Sequence, residues 1–289
     1  MAKKRFGDRK EGRKLRSIDP MMAVAPYIMK TRSGSSNMIS DAIDIENLEK
    51  YIHKKRQEGL KGFGILDVII AAYVRTVAQR PGVNRFVSGQ RIYARNEISV
   101  AFVIKKELRL DSPETVIKVF FQPDDTVEGI YLKTKQAVEE NRNEGDNSAF
   151  DSAARFFRFI PGLLLKFVMF ILNLMDYFDL LPKSLIKISP FHCSLFLTSM
   201  GSLGIPPVFH HLYEFGNVPM FCSYGAKRSA VVLNKDGSVE ERKFIDYTVN
   251  TDDRICDGHY YASVMKMIKD YLKNPEKLDV IPQLKEDVK

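Results

Sequence analysis

The chain has 289 residues, 45% of them apolar, which is enough for a single large globular domain with its own core. Its net charge is +8, but residues 1–17 (MAKKRFGDRKEGRKLRS) hold eight Lys/Arg against two acids, so the rest of the chain carries only +2. A near-neutral body argues against a nucleic-acid-coating protein. The basic character belongs to a tail over residues 1–18, expected to be solvated or to touch an anionic surface, ahead of one domain over 19–289.

Along the chain, "DIENLEKYIHKKRQEG" (44–59) has Leu48, Tyr51 and Ile52 on one helical face. "ILDVIIAAYVRTVAQRPG" (65–82) is apolar nearly all round, so it predicts a buried helix stopped at Pro81-Gly82. "NRFV", "QRIYAR", "EISVAFVIK" and "TVIKVFF" predict strands, with a turn at Ser88-Gly89. "TVEGIYLKTKQAVEENRNE" (126–144) predicts an amphipathic helix. The most apolar region, "FFRFIPGLLLKFVMFILNLMDYFDLLP" (156–182), is interrupted by Arg158, Pro161, Lys166 and Asp176. It is too broken to cross a membrane. It is expected to be a helix buried in the core or against another subunit, with a membrane-surface helix as the alternative.

The C-terminal part is strand-rich: "HCSLFLTSM", "VPMFCSYGAK", and "SAVVLNKDGSVEERKFIDYTVNTD" as a hairpin with Asp236-Gly237 at its tip. A helix from about His259 to Lys273 closes the chain. Strands and helices mixed without strict alternation argue for an α+β class. Cys193, Cys222 and Cys256 show neither metal spacing nor a disulfide framework, which fits a reducing cytoplasm, and no apolar signal core opens the chain. No metal is expected.

Four stretches, in order, carry a resemblance. They are "ILDVIIAAYVRTVAQRPGVNRFVSGQRIYARNEISVAFVI", "FLTSMGSLG", "VPMFCSYGAKR" and "VNTDDRICDGHYYASVMKMIKDYLKNPEKL". Together they resemble the catalytic domain of 2-oxo acid dehydrogenase acyltransferases and, more distantly, chloramphenicol acetyltransferase. The resemblance implies a two-layer α/β sandwich with a large mixed sheet, a homotrimer, and an active-site channel between subunits. A coenzyme A thioester would enter as co-substrate from one side and an acyl acceptor from the other. No lipoyl-bearing segment is recognised in the chain, which points to a stand-alone protein.

What the resemblance implies about residues is specific. Asp253 stands where the family has its catalytic histidine, at the start of an H-x-x-x-D-G corner. Asp257 and Gly258 complete that corner structurally, with Arg16 or Arg32 as the arginine that would hold Asp257. Thr198 would donate to the oxyanion, with Ser199 as the adjacent option, and Ser199 and Gly201 would lie along the thioester. A free aspartate titrates near 3.9 against roughly 6.5 for histidine, so Asp253 would be a weak base unless burial or its acidic neighbours raised it. Among the histidines, His53 reads as solvated, His192 as structural and His259 as exposed or capping. His210-His211 offers a substrate-binding group or replacement base, of which at most one ring would face the channel if the pair lies on a strand. A non-catalytic trimeric scaffold that kept the fold, with or without peripheral membrane contact, is the competing expectation.

Overall fold

A computed structural model describes residues 5–105, 114–143 and 157–288. Residues 1–4 of the basic segment, and Glu144 and Phe156 at the ends of two predicted segments, lie outside them. A six-stranded mixed sheet forms the centre. Its order is β2 (Ser36–Asp44), β9 (Val239–Asp252), β8 (Met220–Leu233), β7 (Leu195–Ser199), β5 (Ile98–Lys105) and β6 (Glu114–Phe121). β7 runs parallel to both of its neighbours, and the other pairs are antiparallel. A smaller sheet joins β1 (Gly12–Lys14), β4 (Arg91–Arg95) and β3 (Arg85–Ser88).

The strands alternate, and the alternation splits the packing between two faces. Leu195, Leu197, Met220, Cys222, Ile245, Tyr247 and Val249 point to one side and join the main core. There they meet α2 (Glu46–Gln57), α3 (Ile65–Gln79), α4 (Val127–Asn143) and α7 (Gly258–Lys273). α3 is buried from Val68 through Ala78 apart from Ile69, as its all-round apolar sequence predicts. Its first turn is closed by the Asp67 carboxylate, which accepts from the Gly64 N–H at 2.8 Å. Phe196 and Phe221 point the other way into a smaller cluster with Ala101, Cys193, Leu212 and Val218. All three cysteines are buried and free, and burial pushes their thiols up to about 11 for Cys193 and about 12 for Cys222 and Cys256.

Several elements differ from the sequence reading. The basic segment is not a detached tail: β1 pairs with β4, and Arg9 and Lys10 donate to the carbonyls of Asp176, Tyr177, Asp179 and Leu181. Backbone pairing and carbonyl acceptors hold cations that composition alone assigned to solvent. β2 and α1 (Pro20–Ile28) were not foreseen, since neither has a clear period. "VPMFCSYGAK" and "SAVVLN" form one strand, β8, with a register shift between Tyr224 and Lys227. There Gly225 lies against the Pro206-Pro207 segment, and an added Cβ would come within 2.6 Å of Pro207.

The apolar region folds as α5 (Gly162–Tyr177), followed by a short helix, α6 (Lys183–Ile188). α5 has no buried residue, so the expectation of a core helix does not hold within the chain. No helix among the described residues is long and apolar enough to cross a membrane.

Leu197 is fully buried in β7 between β5 and β8. Leu197→Ala should cost about 2–5 kcal/mol of unfolding free energy in a urea titration, because a cavity remains where the side chain was.

Candidate active site

The corner after β9 is built around a buried ion pair. Asp252 and Arg254 are 1% and 4% exposed, and their side chains meet through two contacts of 2.7 Å. Arg254 also donates to the Met29 carbonyl at 2.9 Å, tying the corner to the end of α1. The Asp252 carboxylate accepts in addition from Ser35 Oγ at 3.3 Å. This pairing turns the Asp253 side chain outward. Asp253 is exposed, its N–H donates to the Ser35 carbonyl at 2.8 Å, and Asn37 Nδ2 reaches its carboxylate at 3.5 Å.

Asp257 is the N-cap of α7, accepting from the Tyr260 N–H at 2.9 Å. Neither proposed arginine holds it. Arg16 pairs with Asp8, while Arg32 donates to the carbonyls of Val87, Tyr213 and Glu214. The arginine of this corner is Arg254, and its partner is Asp252. Gly258 is exposed at the start of α7, and a Cβ there would meet no atom within 4 Å. The expected steric need for glycine at that position is therefore absent within the chain. Gly201 is constrained instead, since a Cβ would lie 2.9 Å from the Gly225 carbonyl oxygen.

Strand register fixes the distance from Thr198 to Asp253. Thr198 pairs with Ser223, Ser223 with Thr248, and Met220 with Thr251. Asp253 is thus two strands away and about five residues displaced, which places the two Cα atoms roughly 20 Å apart. Thr198 is half-buried at the C-terminal end of β7, and the hydroxyl of Ser199 on the opposite face hydrogen-bonds Tyr224. One protomer does not bring Thr198 and Asp253 together.

Residues 205–213 lie between them, outside any regular element, across the sheet face opposite the helices. One backbone N–H and three polar side chains on that face pin the segment in sequence. Ala226 N donates to the Ile205 carbonyl at 3.0 Å, Ser223 Oγ accepts from Val208 N at 3.2 Å, and Thr248 Oγ1 donates to the Val208 carbonyl at 2.6 Å. Asn250 Nδ2 donates to the His210 carbonyl at 2.9 Å. The segment then reaches the corner, where Glu214 accepts from the backbone N–H groups of Arg32 and Ser33.

This path places the histidine pair. His210 stacks on Phe221 with ring centroids 3.9 Å apart, and His211 stacks on His210 at 4.5 Å. The rings do not diverge as adjacent side chains on a strand would, because the segment is not a strand. His210 is half-buried and His211 exposed. His210 Nδ1 lies 2.7 Å from the His211 carbonyl oxygen, an acceptor only, so Nδ1 carries the proton and Nε2 keeps its lone pair. Burial holds the His210 pKa below 6.5, so the ring is neutral at pH 7.

The other histidines are elsewhere. His53 and His259 are exposed, and His53 contacts Gln57. His192 is buried, with Nδ1 2.8 Å from Ser189 Oγ and Nε2 3.4 Å from Asp176. Glu11 joins Asp176 and His192 within 4.8 Å, a grouping the sequence did not reveal. Buried cations already serve this cluster. Arg95 pairs with Glu11 at 3.2 Å, and Lys118, brought down to about 8 by burial, donates to the carbonyls of Ile186, Ser189 and His192.

With this geometry in place, comparison with known proteins gives a consistent result. Residues 198–280 match the family model of the 2-oxoacid dehydrogenases acyltransferase (catalytic domain). A probable dihydrolipoamide acetyltransferase from Listeria monocytogenes is 14% identical with a TM-score of 0.58, covering 91% of this chain and 95% of its own. The dihydrolipoamide acetyltransferase of Azotobacter vinelandii is 13% identical with a TM-score of 0.58, covering 95% of this chain and 96% of its own. The fold is that of these acyltransferases. A chloramphenicol acetyltransferase shares it at 10% identity and a TM-score of 0.52, covering 90% of this chain and all of its own. No curated protein matches the sequence. The mixed-sheet architecture implied by the resemblance thus holds over nearly the whole chain.

Because the Asp252–Arg254 pair is buried, Arg254→Ala should destabilise the fold by about 3–5 kcal/mol, leaving a carboxylate without its partner. Asp257→Ala removes only an exposed cap and should cost about 1 kcal/mol. Urea unfolding of the two variants side by side checks that order.

Proposed function

We propose that the chain is an acyltransferase that moves an acyl group from a coenzyme A thioester to a hydroxyl, amine or thiol acceptor. The observation that carries this reading is a set of polar side chains on one sheet face, Thr198, Ser223, Thr248 and Asn250, leading toward the Asp253 corner, in a fold shared with dihydrolipoamide acetyltransferases. The working unit is proposed to be a cytoplasmic homotrimer in which Thr198 of one subunit and Asp253 of the next face a common channel. The separation of these groups within one protomer supports that arrangement.

In the proposed reaction the acceptor loses its proton to a base as it attacks the thioester carbonyl carbon. The carbonyl oxygen becomes an oxyanion and takes a hydrogen bond from Thr198 Oγ1, since Ser199 points to the other face of the sheet. Collapse re-forms the carbonyl, breaks the carbon–sulfur bond and expels the coenzyme A thiolate, which recovers the proton. Gly201 keeps the turn beside Thr198 narrow, leaving its outer side for the pantetheine arm.

Two groups compete for the base. In the Azotobacter enzyme the catalytic mechanism was examined at a serine, a histidine and an asparagine four residues after that histidine. Asp253 and Asp257 have that spacing here, with a carboxylate in place of the ring. What supports His210 is its neutral ring, the Nε2 lone pair left free by the His211 carbonyl, and its place nearer to Thr198 along the segment. His211 would then support and cover the base by stacking on it.

The test is thiol release from short and long acyl-coenzyme A thioesters with mixed acceptors. Thr198→Ala should lower kcat by about 10²–10³. His210→Ala should lower it by about 10²–10⁴, with Asp253→Ala milder. A histidine base must be unprotonated. The rising limb of the kcat/KM profile should therefore fall below pH 6.5 and flatten by neutrality. If no thioester turns over and calorimetry shows no coenzyme A binding, the scaffold reading replaces this one.

A further inference from the structure

α5 and the turn after it depart from an ordinary surface helix in being apolar on the outer side as well as the inner. A surface helix buries its apolar stripe and shows charge to water. Here the half-buried side is apolar too, through Leu165, Val168, Met169, Leu172 and Met175, and polar contacts fix the C-terminal end. Asp176 meets buried His192, Arg9 holds the carbonyls of Asp176 and Tyr177, and Tyr177 Oη reaches Gln90 at 3.1 Å. The outward face is apolar. Leu163, Phe167, Phe170 and Leu174 follow one another at spacings of four and three residues and are 44–87% exposed. Phe159, Phe178 and Leu180 extend the patch at both ends. An apolar surface of this extent marks an interaction site.

The charges around it select the partner. Arg158, Lys166, Lys183 and Lys187 are exposed at its edges. The two acids of described residues 157–188 face the protein: Asp176 turns to His192, and Asp179 accepts from the Lys10 N–H at 3.3 Å. The basic segment beginning at Arg5 is anchored beside the same end of the helix through Arg9 and Lys10. Among the described residues the patch thus has an apolar centre with four exposed cations near it, and Glu97 is the exposed acid on the side of Lys183 and Lys187. A second copy packed on it about a two-fold axis would bring these like charges together. α5 has 16 residues, about 24 Å of helix, and Lys166 interrupts it, so it suits lying along a bilayer rather than crossing it. Lys166 can extend its stem over the apolar face and keep its ammonium at headgroup level.

We propose that α5, the turn after it and the cations at its rim dock the protein on an anionic lipid surface, with Phe167 and Phe170 entering the acyl boundary.

Flotation of the full chain tests this with vesicles of phosphatidylcholine alone and of phosphatidylcholine mixed with phosphatidylglycerol. The wild type should float with the mixed vesicles and progressively less so as salt is added. Phe167→Asp/Phe170→Asp should weaken that binding by about tenfold or more, with circular dichroism and oligomeric state unchanged. Lys183→Glu/Lys187→Glu should abolish the preference for the anionic vesicles while leaving the apolar face intact. The proposal is overturned if the wild type floats with neither vesicle at low salt. It is also overturned if binding is insensitive to both variants, or if Phe167→Asp/Phe170→Asp splits an oligomer, which would make this face a contact between copies.

Discussion

The hydrogen-bonded register of β7, β8 and β9 is the constraint on which the candidate site depends. Once Thr198 is opposite Ser223, and Ser223 opposite Thr248, every other position follows from strand rise and strand spacing. Thr198 is then held at one end of the sheet face and the Asp252-Asp253-Arg254 corner at the other. A slip of one residue would turn the Leu195/Leu197 face away from the helices and expose the main core, so the register is tied to the protein's stability. The site inherits its geometry from a packing decision made on the opposite side of the sheet.

Much of this was legible in the sequence, for physical reasons. α3 was readable because fifteen residues with almost no polar face, closed by Pro81-Gly82, have few alternatives to a buried helix. β3 to β6 were readable from β-branched and aromatic runs between turn residues. The corner was readable because Asp257 is both a motif position and a good helix cap. The Asp252–Arg254 pair was missed because one acid beside two others gives no sign of which is buried. Only the fold supplies the Ser35 and Met29 contacts that decide it.

The covering segment shows a different limit. "PPVFHHLYEFGN" has no period, and its path is set by polar residues on other strands: Ser223, Thr248 and Asn250. A signal was present in those strands. Thr248 and Asn250 are two residues apart, alternating with Tyr247 and Val249, so they share a face and need partners once buried. Nothing local said that the partners would be the carbonyls of Val208 and His210. The histidines stack because their segment is pinned at both ends over an aromatic floor. α5 is a third case, in which hydrophobicity correctly predicted a helix but not its environment. The polar contacts at its C-terminal end are made by Arg9, Lys10 and His192, residues distant in the chain.

The three buried cysteines give the molecule a practical property. Thiols pushed up to about 11–12 and sealed under a sheet exist as thiolate to about one part in ten thousand or less at neutral pH. Toward an aromatic disulfide reagent the intact protein is therefore silent. Colour developed in its presence counts sulfur freed from a thioester rather than sulfur of the chain. The same silence can be read in reverse. Slow uptake of reagent in the absence of any thioester would time the moments when β7, β8 and the corner before α7 open, since Cys193, Cys222 and Cys256 lie just before, within and within those elements. The protein carries its own stopwatch for opening at the heart of its candidate site.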